Sequence, residues 1–376
     1  MPTISYLTTI RFDFGAISGL PDDLRAVGIR RPLLVTDRGV IAAGLAERIL
    51  ALLPDGLKSP VFSEVPSNPT ETAVQAGLSA YRAGDCDGLV AVGGGSPIDL
   101  AKAVAILATH PGPLDQYMFV NGGIGRITGA VAPLIAIPTT AGTGSEVGRG
   151  ALISLDDGRK LAAISPFLIP KRAICDPDLT LALPPALTAG TGMDALTHCV
   201  ECFISPIDNP PAGAIALDGA ERIARYLVPA VENGANRTAR WEMLMGAMEG
   251  AMAFQKGLGA VHALSHPLGA LRSPSLHHGT LNAVLLPHVL RFNRAHVGTK
   301  YARLAVAMGL SEGADLADFV ASLNRRIGLP ASLGAMGVSH EVVPWVAEQA
   351  MLDHCTPTNP RKPTREDYVA ILEAAL

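Results

Sequence analysis

"DGLVAVGGGSPIDLAK", residues 87–102, passes from an apolar run through three glycines into a helix-like stretch. Its apolar positions are consecutive, which suits a strand covered on both faces, as strands of parallel sheets are. Gly93, Gly94 and Gly95 end the run, and Pro97 stands where the first turn of a helix tolerates proline. Outward from this unit the pattern repeats. "RPLLVTD" (31–37), "SPVFSEV" (59–65) and "APLIAIPTT" (132–140) read as further buried strands, and "GLAERILALL" (44–53) and "TETAVQAGLSAYRAG" (70–84) have helical periodicity between them. Strand alternating with helix is the order of a doubly wound, Rossmann-like α/β domain, placed here at residues 1–180. From "LPPALTAGTG" (183–192) onward strand patterns stop. Amphipathic stretches at 213–233, 236–256, 300–308, 313–327, 340–353 and 364–376 predict an all-helical domain over residues 181–376.

At 376 residues the chain is longer than a single core usually grows. A net charge of −4 and a pI of 6.2 give no electrostatic footprint for nucleic acid. With 48% hydrophobic and 17% charged residues, the composition is that of a well-buried globular protein. Apolar stretches such as "LNAVLLPHVL" (281–290) are too short or too interrupted to span a membrane. "MPTISYLTTIRFDFG" (1–15) lacks the basic-then-apolar order of a secretory signal. Five cysteines without a framework spacing fit a reducing cytoplasm, the expected location. Cys199 and Cys202 form a CxxC within an apolar helical stretch and read as packed small side chains rather than a redox or zinc pair.

Glycines let a backbone approach a ligand, and a helix N-terminus offers unpaired N–H groups and the positive end of a dipole. Gly93, Gly94, Gly95 and Ser96, with Asp99 on the helix that follows, are therefore candidates for holding a pyrophosphate. The spacing is not GxGxxG, and such turns also occur without a ligand. "IPTTAGTGSE" (137–146) leaves a second strand end with Thr139, Thr140, Thr143 and Ser145, whose hydroxyls suit phosphate, ribose or carboxamide, or alternatively local capping bonds. Two such loops at strand ends favour a nucleotide crevice. Asp37 closes the first strand read above. It either accepts bonds from a ribose, favouring NAD(H) over NADP(H), or caps a helix.

Asp194 and His198 in "GMDALTHCVE" (192–201) stand four apart, as do His262 and His266 in "GAVHALSHPLGA" (259–270), with helical signals until Pro267. Four residues turn a helix by about 40° net, so each pair shares a face. "SLHHGTLNA" (275–283) adds His277 and His278. So many imidazoles and an acid in apolar surroundings each need a partner. One aspartate oxygen with three imidazoles makes an N₃O site for Fe²⁺ or Zn²⁺, with a position left open.

Taken in order, "GGGSPIDLAK", "PTTAGTGSEV", "DPDLTLALPPALTAGTGMDALTHCVE", "GAVHALSHPLGA", "HHGTLNAVLLPHVLRFN" and "CTPTNPR" resemble the iron-containing (group III) alcohol dehydrogenases over nearly the whole chain. The resemblance implies the dehydroquinate synthase-like fold of that family: a Rossmann-like N-terminal domain followed by helices. It implies metal ligands Asp194, His198, His262 and His278, with His277 competing for the last place, and Fe²⁺ ahead of Zn²⁺. His266 resembles the family's histidine near the reacting carbon, a proton relay or an orienting group. Asn68 and Lys160 match positions lining the nucleotide cleft, Leu179 matches a residue packing near the adenine side, and Asp37 matches the NAD-favouring acid. The activity implied is hydride transfer between nicotinamide and a small alcohol or aldehyde, in a cytoplasmic homodimer. Where relatives often carry threonine after "GTGSEV", this chain has Gly148 and Arg149. Arg149, with Arg272 assisting, can meet an anionic substrate such as a semialdehyde, or can be a solvated or interface arginine. Phe254 is expected to form an apolar wall. Within the same fold, maleylacetate reductases and dehydroquinate synthase-like lyases are the alternatives; their metal positions differ from the set found here.

Overall fold

The computed structural model describes all residues except 1–7, 55, 56, 58 and 272. The chain forms two compact units: residues 8–140 with 144–182, and 183–376 with 141–143.

The first unit is built on eight strands: β1 (Thr9–Phe12), β2 (Pro32–Val35), β3 (Val61–Phe62), β4 (Gly88–Gly93), β5 (Leu134–Pro138), β6 (Gly150–Ser154), β7 (Lys160–Ile164) and β8 (Arg172–Cys175). Six of them pair in parallel, in the order β1-β8-β5-β4-β2-β3, and β6 and β7 form a separate antiparallel hairpin. The helices of this unit are α1 (Leu20–Val27), α2 (Arg38–Ala42), α3 (Leu45–Leu50), α4 (Glu71–Ala83) and α5 (Gly95–Thr109). The sheet is covered on both faces, and side-chain alternation explains how. Leu89 and Ala91 of β4 join one core with Val74, Leu78, Leu100 and Val104 of α4 and α5, while Val90 and Val92 join another with Leu20, Leu24 and Ile49 of α1 and α3. After β2 the chain moves outward to β3 and then crosses back to β4. The strand order reverses between β2 and β4, and such a switch point opens a crevice at the strand ends.

The second unit holds α6 (Pro185–Ile204), α7 (Pro210–Glu232), α8 (Arg237–Met252), α9 (Ala260–Ala270), α10 (His278–Asn293), α11 (Lys300–Ala307), α12 (Leu316–Arg326), α13 (Val343–Leu352) and α14 (Arg365–Ala375). Side-chain caps start several of them: Asn209 and Asn236 each accept a backbone N–H at the head of α7 and α8, and Thr364 and Asp367 form a capping box on α14. From Met193 to Ile204 every residue of α6 is buried, so it is the central post of the unit. Cys199 and Cys202 are fully buried in it as free thiols, with burial pushing both thiol pKa values up.

Two sequence expectations shift. The helix expected from Pro97 begins at Gly95, because Gly94 already serves as its N-cap. The helical signal that stops at Pro267 is too short: α9 runs through the proline to Ala270. Proline removes one backbone bond, but its neighbours Ser265, His266 and Leu268 are fully packed and hold the turn. Among the described residues no helix is long and apolar enough to cross a membrane.

Candidate functional site

Asp194 and His198 lie one turn apart on the buried face of α6. The His198 Nε2 stands 3.5 Å from Asp194 Oδ1. α9 brings His262 Nε2 to 3.7 Å from that same oxygen, and α10, whose first residue is His278, brings His278 Nε2 to 3.6 Å. These separations are too long for strong hydrogen bonds. They are close to the roughly 3.5 Å expected between ligand atoms that each lie about 2.1 Å from one cation; ligand atoms of Asp194, His262 and His278 lie within 4.8 Å of one another, and His198 joins the set through Asp194. Asp194, His198 and His262 are each 3% exposed or less, so little solvent screens the cluster. Burial works to raise the Asp194 carboxyl, but His198, His278 and His262 around it hold it well below the usual carboxylate range. Burial brings His198 down to about 4, keeping it neutral, the form that can ligate a cation.

Two residues that sequence reasoning missed complete this cluster. Glu201 is 1% exposed and sits on α6 within a turn of His198. Its carboxylate accepts the backbone N–H groups of Gly259 and Val261 at the head of α9, at 3.0 and 2.7 Å, and faces His262 Nδ1 at 2.7 Å. With the Nδ1 proton held there, the His262 Nε2 lone pair faces Asp194, the arrangement that carboxylates impose on metal-ligating histidines. Burial would lower the His262 pKa, but the Asp194 and Glu201 carboxylates outweigh it and lift the ring to about 9, so a cation taking Nε2 must displace a proton there. The other residue is Asn282, whose Nδ2 lies 2.7 Å from Asp194 Oδ1 and whose Oδ1 is buried without a hydrogen-bond partner. A buried acid in "HCVE" was the available signal for Glu201; for Asn282 it was the four-residue step from His278. One carboxylate oxygen and three imidazole nitrogens are together a donor set that fits a divalent cation.

The other expected residues fall around this set. His277 caps α10, its Nδ1 accepting the Thr280 N–H, while its neighbour His278 is the one brought to Asp194. Phe254 meets the His198 ring edge-on at 4.7 Å. His266 Nδ1 pairs with Asp353 Oδ2 at 2.8 Å, and its ring stacks on His278 and His354 at 5.7 and 5.5 Å. Burial takes the His266 pKa down to about 4. His266, Asp353, His354 and Cys355 also gather candidate ligand atoms within 4.8 Å. That group is closed by its own contacts: His354 turns Nδ1 to Asp353 and Nε2 to Cys355.

In the α/β unit the two loops touch. Gly93 has φ +150, where a Cβ would fall 2.6 Å from Pro97, and a Cβ on Gly94 would stand 3.1 Å from Thr140 Oγ1. Thr139 N–H donates to the Gly93 carbonyl. Ser96 Oγ donates to the Ser67 carbonyl, and Lys160 Nζ to Asn68 Oδ1. Asp37 caps α2 through Val40, its other oxygen turned toward Gly93. Asp99 and Ser145 are engaged within the unit. Ser145 Oγ donates to Asp99 Oδ1 and accepts from Lys102 Nζ, and Asp99 Oδ2 accepts the Leu152 N–H. Leu179 is 2% exposed and belongs to the same core as Val92. Thr143 belongs to the short segment that clusters with the helical unit. Arg149 is exposed at the head of β6, and Arg272 lies outside the described residues.

Residues 8–177 match the family model described as iron-containing alcohol dehydrogenase, and residues 188–376 its C-terminal counterpart. The chain belongs to the iron-containing alcohol dehydrogenase family. It is 55% identical to a 4-hydroxybutyrate dehydrogenase of Cupriavidus necator, over 100% of both chains. Among solved structures, a 1,3-propanediol oxidoreductase is 38% identical with a TM-score of 0.92, covering 100% of both chains. A sulfoacetaldehyde reductase of Bifidobacterium kashiwanohense, solved with NAD+, is 29% identical with a TM-score of 0.89, covering 100% of this chain and 98% of that one. Membership makes this chain an oxidoreductase of the alcohol dehydrogenase type, and it implies a metal. The two-unit architecture is the family's own.

Proposed function

We propose that this protein is a metal-dependent, NAD(H)-linked dehydrogenase that interconverts a short ω-hydroxy acid and its semialdehyde. The observation that carries the reading is the convergence of His198, His262 and His278 on one oxygen of Asp194. Those four residues would hold one Fe²⁺, or Zn²⁺ in its place, supplying a Lewis acid for the substrate oxygen, while nicotinamide supplies the hydride acceptor. Asp353 orients His266 through Nδ1, leaving Nε2 to pass the hydroxyl proton on. Phe254 lines His198 and keeps water from that side. Gly93 to Ser96 and the head of α5 would take the pyrophosphate, with Thr139 and Thr140 beside it. Asn68 and Lys160, already paired, would meet the nucleotide. Asp37 would meet the ribose and favour NAD(H), in keeping with the NAD+ held by the sulfoacetaldehyde reductase. Asp99 and Ser145 would act by fixing the loop.

The anionic substrate is supported by the 55% identity to a 4-hydroxybutyrate dehydrogenase. Arg149 is the side chain assigned to the carboxylate. With Fe²⁺-loaded protein and NADH, absorbance at 340 nm should show higher kcat/KM for succinate semialdehyde than for butanal, its uncharged analogue of equal length. Removing a charge-assisted hydrogen bond removes about 1.5–3 kcal/mol. Arg149→Ala should therefore raise KM for the acid roughly 10- to 100-fold and leave butanal unchanged. Equal kcat/KM for the two aldehydes in the wild-type protein would remove the anionic assignment.

A further inference from the structure

β2 and β3 run side by side in the same direction, with Val35 opposite Phe62. Asp37 and Glu64 each stand two residues past those partners, so two carboxylates leave the sheet on one rim. One Asp37 oxygen accepts the Val40 N–H, and the other is turned toward Gly93 of the glycine turn. Glu64 instead holds Arg38, the residue that follows Asp37. Arg38 Nη2 donates to Glu64 Oε2 at 2.5 Å, and Nε to Oε1 at 3.4 Å. The segment after Glu64 runs on to Ser67, whose carbonyl accepts the Ser96 hydroxyl, and to Asn68, which Lys160 holds. The Arg38–Glu64 pair therefore belongs to the same stretch of chain as the residues assigned to the nucleotide.

At this end of a doubly wound sheet an acid meets the ribose of NAD(H), whereas a nearby arginine accommodates the 2′-phosphate of NADP(H). This rim carries both residue types, adjacent in sequence, so the acid at 37 does not by itself decide between the two cofactors. What decides is whether the arginine is available. A guanidinium presents a planar fork that two carboxylate oxygens fill as well as two phosphate oxygens do. With Glu64 in the fork, Arg38 is neutralised, and Asp37 leaves the rim one unit negative.

We propose that Glu64 is a specificity-determining residue, which withholds Arg38 from the 2′-phosphate and so turns the site against NADP(H). The proposal rests on the nucleotide reading above. Both side chains of the pair are exposed, so its effect is a modest one that salt screens.

The test is the Kd of NADH and of NADPH for the Fe²⁺-loaded full-length protein without aldehyde, read at low salt from the fluorescence of the bound nicotinamide. Glu64→Gln keeps the shape and loses the charge. It should tighten NADPH about three- to ten-fold and leave NADH unchanged. Arg38→Ala should leave NADH unchanged as well, and in that background Glu64→Gln should bring NADPH almost nothing. An unchanged NADPH-to-NADH ratio in Glu64→Gln overturns the proposal. So does a full gain in the Arg38→Ala background, because Glu64 would then act as a bare charge and not by holding the arginine. Wild-type protein that binds NADPH as tightly as NADH would instead overturn the reading of Asp37 as NAD-favouring, a different failure.

Discussion

Glu146 and Lys102 are 2% and 1% exposed within the α/β unit. Lys102 donates to the Ser145, Gly148 and Gly150 carbonyls and to Ser145 Oγ, so it ties down the segment that leaves the second glycine loop. Burial lowers its pKa to about 8 and raises the Glu146 carboxyl to about 7. For Glu146 the folded value lies above the usual 4.5, so the folded state holds its proton more firmly than the unfolded chain. The stability this supplies is complete below about pH 4.5 and lost as pH rises through about 7, a change of about 3 kcal/mol. Glu146→Gln is uncharged throughout. Its melting temperature should equal that of wild type near pH 4.5 and exceed it at pH 8; a constant offset across that range would show that Glu146 is not buried as a neutral acid. The same turn shows where sequence reading stops. "GTGSE" offers Ser145 as a hydroxyl beside glycines, the pattern of a nucleotide loop, but its principal partners are Asp99 and Lys102, 46 and 43 residues away. A hydroxyl looks the same in sequence whether a ligand or a lysine meets it.

At the level of elements, α6 and α10 approach so closely that a Cβ added at Gly279 would fall 2.2 Å from the Gly190 carbonyl oxygen and 3.1 Å from Asp194 Cβ. No rotamer relieves a clash with backbone, so Gly279→Ala must part the two helices just beside His278. Overpacking of this kind costs about 1–3 kcal/mol, and here it also moves a ligand. The expected result is a lower melting temperature and a lower Fe²⁺ content. Gly213→Ala on α7 is the contrast, since its Cβ would have only Phe203, at 4.0 Å, nearby. It should be neutral or slightly stabilising, as alanine in a helix is. A Gly279→Ala protein with wild-type melting temperature and metal content would mean that the helices do not touch there. The elements themselves were mostly legible. Long apolar-periodic stretches gave the helices of the second unit, and consecutive buried positions gave β2, β4 and β5. β1 and β8 escaped because "TIRF" is half exposed and "RAIC" opens on arginine, each only four residues long. The β6–β7 hairpin did carry a signal, "DDG" between two short, mostly apolar runs, that the alternation of strands and helices overshadowed.

Across the whole molecule the assigned ligands are confined to one unit. Asp194, His198, His262 and His278 come from α6, α9 and α10, far apart in the sequence; i, i+4 spacing marked Asp194 with His198 and His262 with His266, and only the family resemblance picked out the four, with His278 ahead of His277. The buried partners Glu201 and Asn282 were not legible, because their roles exist only once three helices have met. A cation that binds the native cluster alone adds RT ln(1 + [M]/Kd) to stability, about 2.7 kcal/mol at a hundred-fold excess over Kd. Removing it should return that amount to the helices that supply the ligands. The backbone bonds of β4 and α5 close within a sheet and helix whose two cores contain none of those ligands. Dialysis against a strong chelator, followed by amide hydrogen exchange, should therefore accelerate exchange in α6, α9 and the first turns of α10 while leaving β4 and α5 unchanged. Added Fe²⁺ should restore protection with the concentration dependence of a single site. Equal acceleration in both units would mean that the cation governs global rather than local unfolding. No change in α6, α9 or α10 would mean that the four side chains hold their positions through packing and Glu201 alone, and that any ion contributes nothing to building the site.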